Sequence, residues 1–292
     1  MSPRALGRTG ISVPLVGLGC GPLGDARLSD EDAERLLRVA LEQGLTLFDT
    51  APSYGLSEAR IGRFLRGSSS SRAGVIVVTK LGYGVAGVPD WTPACLSLGV
   101  DQALATLGVD VLDVALLHSC SEDRLADEGL LRALMDAKQA GKIRAFGYSG
   151  DGAGLVAAVR SGAFDVVECS VSCLDRSGLD AVRGAGLGVI AKRALANAPW
   201  RGNPDGRDDI AEYVRRYDAL FGSAPMTFAD DELFLRFASF LPEVHCTLVG
   251  TTRADAIVRA AELVARGPLP AAVTDELRAR YAPFERVFHG VV

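Results

Sequence analysis

Short apolar runs alternate with amphipathic stretches along nearly the whole chain. Residues 15–19, 45–48, 75–79, 111–117, 143–148, 165–168, 187–191 and 246–249 are brief apolar segments bounded by turn formers, the pattern of buried strands. Between them apolar residues recur at helical spacing. Ser29, with Asp32 three residues on, caps a helix whose Ala33, Leu36, Leu37, Ala40 and Leu41 share one face before Gly44 stops it. Ile61, Phe64 and Leu65 mark the next helix. Pro93 opens another, with Leu96, Val100, Ala103, Leu104 and Leu107 on its face and Gly108 behind it. Leu130, Leu131, Leu134 and Ala137 end at Gly141. Leu155, Val156 and Val159 follow Asp151 and end at Gly162. A short helix is expected at 179–182, two more at 210–221 and 230–240, and a last repeating one at 254–265.

Eight strand–helix units predict a parallel sheet covered by helices, and eight units in 292 residues fit a closed (β/α)8 TIM barrel. Residues 4–6 and 11–13 around a Gly7–Gly10 turn add an N-terminal β-hairpin, and 274–288 a C-terminal extra helix. The Ser68–Ser71 run reads as an exposed loop, and no composition break divides the chain, so one domain over 1–292 is expected. Gly17-Leu18-Gly19-Cys20-Gly21 lacks the third glycine of a dinucleotide-binding fingerprint, which weakens a doubly wound alternative.

Composition changes this picture little. Apolar residues make up 48% of the chain and charged ones 23%, ordinary for a soluble globular protein. A formal charge of −5 argues against nucleic acid or an anionic membrane as partner. Residues 1–4 are not followed by an apolar h-region, and no run approaches a membrane span. Six cysteines without a C-x-x-C pair suit reduced cytoplasmic thiols. The three histidines have no metal-ligand spacing, so no metal is expected. Oligomeric state is not readable.

In a barrel the C-terminal strand ends share one rim, where chemistry collects. Asp49 follows the second strand, Lys80 the third, His118 the fourth, Ser149 the fifth, Glu168 the sixth, and Lys192 with Arg193 the seventh. Singly, each has a plain alternative: Asp49 an Asx turn or cap, Lys80 a snorkelling surface residue, His118 a satisfied core residue. A shared rim favours a site, because Asp49 can pair Lys80 and a short Pro/Ser/Gly turn presents Tyr54 beside them. Tyr83 and Trp91 after the third strand, and Trp200 after the seventh, are aromatics that could line a pocket.

Gly7-Arg8-Thr9-Gly10, Gly17-Leu18-Gly19, Phe48-Asp49-Thr50-Ala51-x-x-Tyr54-Gly55, Thr79-Lys80, Leu116-Leu117-His118 and Val249-Gly250-Thr251-Thr252 resemble the aldo-keto reductase family, in order over roughly residues 4–265. The resemblance implies an NAD(P)H-dependent oxidoreductase of carbonyls and alcohols, with Tyr54 as general acid, Lys80 and Asp49 tuning it, and His118 orienting a small-molecule carbonyl. The residues agree chemically. Charge building on a carbonyl oxygen needs a proton and nearby donors, and an ammonium beside a phenol favours the phenolate and lowers its pKa.

The implied cofactor residues are Gly19, Cys20, Asp49, Ser149, Gly150, Glu168, Lys192, Arg193, Leu195, Asn197, Gly250, Thr251, Thr252 and Arg253. Several depart from the family pattern. Gly150 stands for Asn, Glu168 for Gln, Lys192 for an aromatic ring, and Ala256 and Ala260 for Arg and Asn. The 250–253 turn opens a helix suited to a phosphate, and Arg253 there leads to the expectation of NADP(H) over NAD(H). The altered ring contacts leave a second reading, a redox-sensing regulatory subunit with little turnover.

Overall fold

The computed structural model describes residues 3–67, 74–203 and 206–291; the loop expected at 68–71 lies outside them. An antiparallel pair, β1 (Arg4–Ala5) and β2 (Ser12–Val13), precedes eight parallel strands: β3 (Val16–Gly19), β4 (Leu47–Asp49), β5 (Ile76–Leu81), β6 (Leu112–His118), β7 (Ile143–Ser149), β8 (Val166–Ser170), β9 (Gly188–Lys192) and β10 (Cys246–Val249). Each pairs with the next, and β10 returns to β3 to close a barrel. Helices cover it outside, and the C-terminal helix Ala271–Tyr281 follows the last repeating helix Ala254–Ala265. Among the described residues no helix is long and apolar enough to cross a membrane.

Local chemistry places the helices. Ser29 Oγ accepts from Asp32 N at 3.0 Å, Thr92 Oγ1 accepts from Cys95 N at 3.2 Å, and the Asp127 carboxylate accepts from Gly129 N at 2.8 Å. Each satisfies an amide that a helix start leaves open. Asp151, expected only to open a helix, sends its carboxylate instead to Ser170 N and Oγ at 2.6 and 3.0 Å.

The barrel interior is filled from below by Leu47, Ile76, Val78, Val114, Leu116, Ala145, Val166, Ile190, Cys246 and Leu248, with Leu6, Ile11 and Val13 of the hairpin. The hairpin therefore plugs the N-terminal mouth. Burying each Leu, Ile or Val contributes about 1.5–3 kcal/mol, so the lower barrel is a packed plug and ligand access is confined to the opposite rim.

Boundaries differ in an informative direction. Asp49, Lys80 and His118, expected just past their strands, lie within them, because parallel pairing continues: Lys80 is registered with Leu116, and His118 with Ser149. The final helix stops at Tyr281, short of 288, where Pro283 enters a 3-10 turn at Ala282–Phe284 without an amide hydrogen to donate.

Candidate active site

Side chains alternate across a strand, so the inward face of each barrel strand can be followed upward from the plug. Above Leu47 comes Asp49; above Ile76 and Val78, Lys80; above Leu116, His118. Above Ala145 and Gly147 stands Ser149, above Val166 Glu168, and above Ile190 Lys192. One polar layer thus caps the apolar one, and residues far apart in sequence are brought together by register alone.

At its centre Lys80 is fully buried. Its Nζ donates to Asp49 Oδ1 at 2.5 Å and to Thr50 O at 3.0 Å, and lies 3.5 Å from Glu168 Oε2. Ser149 Oγ donates to Glu168 Oε1 at 2.9 Å, while Oε2 is buried with no hydrogen-bond partner among the described residues. Burial, and then the neighbouring Glu168, lift the Asp49 carboxyl well above its usual range against the pull of Lys80. Burial pushes Glu168 up too, but Lys80 and Lys192 outweigh it and hold the group below the usual range. Lys80 stays charged: desolvation opposes the ammonium, and the two carboxylates more than compensate.

Tyr54 is half-buried beside this cluster, with Lys80 Nζ 5.3 Å from its ring centroid and the His118 ring edge-on at 6.1 Å. The expected lowering of its pKa is not what the site yields. Burial raises the phenol, Lys80 lowers it, and Asp49 and Glu168 raise it again, so it stands above the ordinary value. His118 moves the other way. Burial, then Lys80, bring it down to about 4, so the ring is neutral near pH 7.

The Tyr54 loop is clamped. Thr50 Oγ1 donates to Ser57 Oγ at 2.8 Å, Ser57 Oγ donates to Cys20 O at 2.9 Å, and Leu56 N donates to Gly24 O at 3.2 Å. A Cβ on Gly24 would fall 1.7 Å from Tyr54 O, so only glycine permits this approach. Arg60 fastens the other side by donating to the carbonyls of Leu23 and Asp25 at 2.6 and 2.9 Å.

Tyr54 and His118 open onto a cleft of about 840 Å³. Gly19, Asp49, Ser149, Glu168, Lys192, Arg193, Leu195, Asn197, Gly250 and Thr251 line it. Gly150 faces an adjoining cavity of about 300 Å³, which also touches Lys192 and Arg193. Cys20 is buried beneath, its Sγ donating to Leu18 O at 3.4 Å. Thr252 and Arg253 are exposed and outside the lining, the guanidinium being paired with Asp255. Lys192 pairs with Asp151 at 3.1 Å. Arg201, Arg207 and Arg259 join the cleft wall, Arg259 paired with Asp231 at 3.1 Å. Trp200 lines it too. Tyr83, outside the cleft lining, meets His118 at Nδ1, and its Oη lies 2.8 Å from Ser53 Oγ. No group of three or more metal-ligating side chains occurs among the described residues.

The sequence profile of the aldo/keto reductase family matches residues 15–280. The chain belongs to that family. It is similar to L-galactose dehydrogenase of Arabidopsis thaliana, 33% identical over 209 residues, which cover 66% of this chain and 65% of the relative. It is also similar to 6-dehydroglucose reductase of Novosphingobium aromaticivorans, 34% identical over 155 residues and 50% of each chain. The matched stretches span 65% or less of these curated relatives. Among solved structures, a Pseudomonas aeruginosa chain described as an aldo-keto reductase gives a TM-score of 0.72 at 27% identity, covering 90% of this chain and 94% of that one. An aldo-keto reductase from Bacillus halodurans in its holo form shares the fold, with a TM-score of 0.79 at 24% identity over 96% of both chains.

Members of the family are typically NAD(P)H-dependent, and this chain has residues that fit a dinucleotide. Glu168 Oε2, ion-paired with Lys80 but accepting no hydrogen bond among the described residues, can accept from the amide of a nicotinamide. Gly250 and Thr251 lead into the helix Ala254–Ala265, whose start has open amides for a phosphate. Arg193, Arg201, Arg207 and Arg259 supply positive charge along the same wall. The sequence offers Tyr83 as a loop aromatic that could line a pocket, and the structure places it outside the cleft lining, against His118. Arg259 looks like any polar position on a surface helix.

Proposed function

We propose that this reductase interconverts a carbonyl and an alcohol with NADP(H), using Tyr54 as the proton donor. The observation that carries this is the buried Lys80, tied to Asp49 and set under a Tyr54 that faces the cleft with neutral His118. Nicotinamide bound along the Gly19–Glu168–Gly250 wall would supply the hydride. Ser149 and Glu168 would hold its amide, and the arginines of the cleft its phosphates.

His118 and Tyr54 donate to one oxygen. The phenol stays protonated at neutral pH, as a donor must. Its raised pKa is no obstacle in the reducing direction, since a nascent alkoxide is about as basic as hydroxide and far more basic than a phenolate. Asp49 and Thr50 O keep the ammonium in place, so its charge is preorganised where the oxygen becomes negative.

Two relatives are named for sugar or sugar-derived carbonyl chemistry, and the cleft mixes Ser119, Asn197 and charged side chains with Trp200. A hydroxylated carbonyl compound is the substrate class this favours. The redox-sensing reading draws support from Lys192 standing in place of an aromatic ring while held by Asp151. A panel of aldehydes, ketones and sugars, followed by absorbance of the reduced nicotinamide, separates the two. Tyr54→Phe should retain dinucleotide binding and lower turnover by ~10²–10⁴-fold. Near-wild-type turnover with hydride transfer rate-limiting would rule Tyr54 out.

A further inference from the structure

We infer that Tyr83 is a positioning residue that fixes His118 in the tautomer with its proton on Nε2. The inference rests on the reductase reading for its purpose, and its test does not depend on turnover. Tyr83, which lies outside the cleft lining, makes its Oη contact at His118 Nδ1, and its other neighbour is Ser53 Oγ at 2.8 Å. A neutral imidazole has one proton to place, and the hydrogen bond at one nitrogen decides where it sits. His118 is neutral here, so the choice of nitrogen is a real one.

Two directions satisfy the chain of contacts: Ser53 to Tyr83 to His118, or the reverse. Acid–base strength selects between them. A phenol O–H is a stronger acid than a neutral imidazole N–H, and a bare imidazole nitrogen is a better base than a phenol oxygen. Tyr83 therefore donates to Nδ1, accepts from Ser53, and leaves the proton on Nε2. That nitrogen can then donate to a carbonyl oxygen beside Tyr54. The opposite tautomer would face the carbonyl with a lone pair.

The loop is built to hold the phenol there. Trp91 N donates to Gly82 O at 2.7 Å, folding the segment back on itself. The Trp91 ring packs 6.3 Å from the Tyr83 ring and fills the space beside Gly82, where a Cβ would lie 2.3 Å from it.

Long-range ¹H–¹⁵N correlation spectra of the dinucleotide-free protein read the tautomer directly. The chain has three histidines, and loss of one ring system in His118→Gln assigns the signal. His245 serves as an internal reference, since its Nδ1 accepts from Val189 N at 3.0 Å and so carries no proton. The expected wild-type result is an unprotonated Nδ1 and a protonated Nε2 on His118. Tyr83→Phe keeps the ring against Trp91 and should reduce the tautomer ratio about fivefold, the weight of one neutral hydrogen bond. Turnover should fall by no more than a similar factor. A protonated Nδ1 in the wild type, or an unchanged His118 spectrum in Tyr83→Phe, overturns the inference. If Tyr83→Phe does not fold, Tyr83→Leu takes its place with the same expected fall in the tautomer ratio, and an unchanged His118 spectrum there overturns the inference equally. If the tautomer is as stated and no carbonyl is reduced, the proposed function fails and the role of Tyr83 stands.

Discussion

Replacing Lys80 by Met removes the cation between two buried carboxylates. Its ammonium sits 2.5 Å from Asp49 Oδ1 and 3.5 Å from Glu168 Oε2. At an effective dielectric constant of ~20 these separations correspond to about 7 and about 5 kcal/mol of attraction. Most of that offsets the desolvation of three charges, so the intact cluster adds far less than the sum to stability. The variant is another matter, because Asp49 and Glu168 stay at 4% and 2% exposure with nothing to balance them. Breaking a buried pair in this way costs about 3–5 kcal/mol, a large share of the ~5–15 kcal/mol typical of a folded protein.

The loss should depend on pH. Burial already raises the Asp49 carboxyl against the pull of Lys80, and without that pull the pair takes up a proton on folding. A group whose folded pKa lies above its unfolded value contributes stability that is complete below the unfolded carboxylate range, near ~4, and lost as pH rises toward the folded value. Lys80→Met should therefore be less destabilised in mildly acid than in mildly alkaline buffer, by up to about 1.4 kcal/mol per pH unit for each proton. Urea unfolding followed by tryptophan fluorescence, with the wild type in parallel at each pH, measures both quantities. Adding Glu168→Gln to Lys80→Met should recover part of the loss. A cost below ~1 kcal/mol, or stability curves parallel to the wild type, would refute the picture of a buried, charge-balanced cluster.

Two further outcomes follow from the cleft. Arg259→Ala should weaken NADP(H) by about tenfold, the weight of one charge-assisted hydrogen bond, with a smaller effect on NAD(H), whereas Arg253→Ala, outside the lining, should cost less; equal losses for both dinucleotides in a fluorescence titration would count against a 2′-phosphate contact. Because burial and Lys80 hold His118 down at about 4, the pH profile of turnover should show no histidine limb near 6.5, and an inflection there that disappears in His118→Gln would contradict it.

The barrel and its polar rim were legible because Asp49, Lys80, His118, Ser149, Glu168 and Lys192 each close an apolar run. Their exact depth was not, since a pattern shows where apolar residues stop, while pairing with the neighbouring strand decides where the strand does. Charge balance was hidden for a related reason: Glu168 reaches Lys80 across the barrel, and no local spacing announces it. The shift at Tyr54 came out opposite in sign because burial of the phenol, helped by Asp49 and Glu168, outweighs Lys80, and the depth of burial is not announced by spacing either. Tyr83 sits in a glycine-rich loop with no period, so its direction toward His118 needs the fold. Arg253 drew attention by standing next to a phosphate-type turn, yet the helix turns Arg259 into the cleft and leaves Arg253 in solvent.

The backbone contact between Gly24 and Tyr54 gives the two sides of the mouth different futures. On one side, Tyr54 is cross-braced through main-chain carbonyls that no substitution elsewhere can remove, and the bracing depends on Gly24 and Arg60, neither of which lines the cleft. On the other, residues 193–202 are held largely by their own successive turns, from Ala196 N on Arg193 O to Gly202 N on Pro199 O. Variation accumulating there can reshape what enters the cleft while Tyr54 keeps its aim. Lineages descended from such a chain are therefore free to diversify in appetite, and changes at Gly24 would surface as lost chemistry in enzymes whose lining residues are all intact.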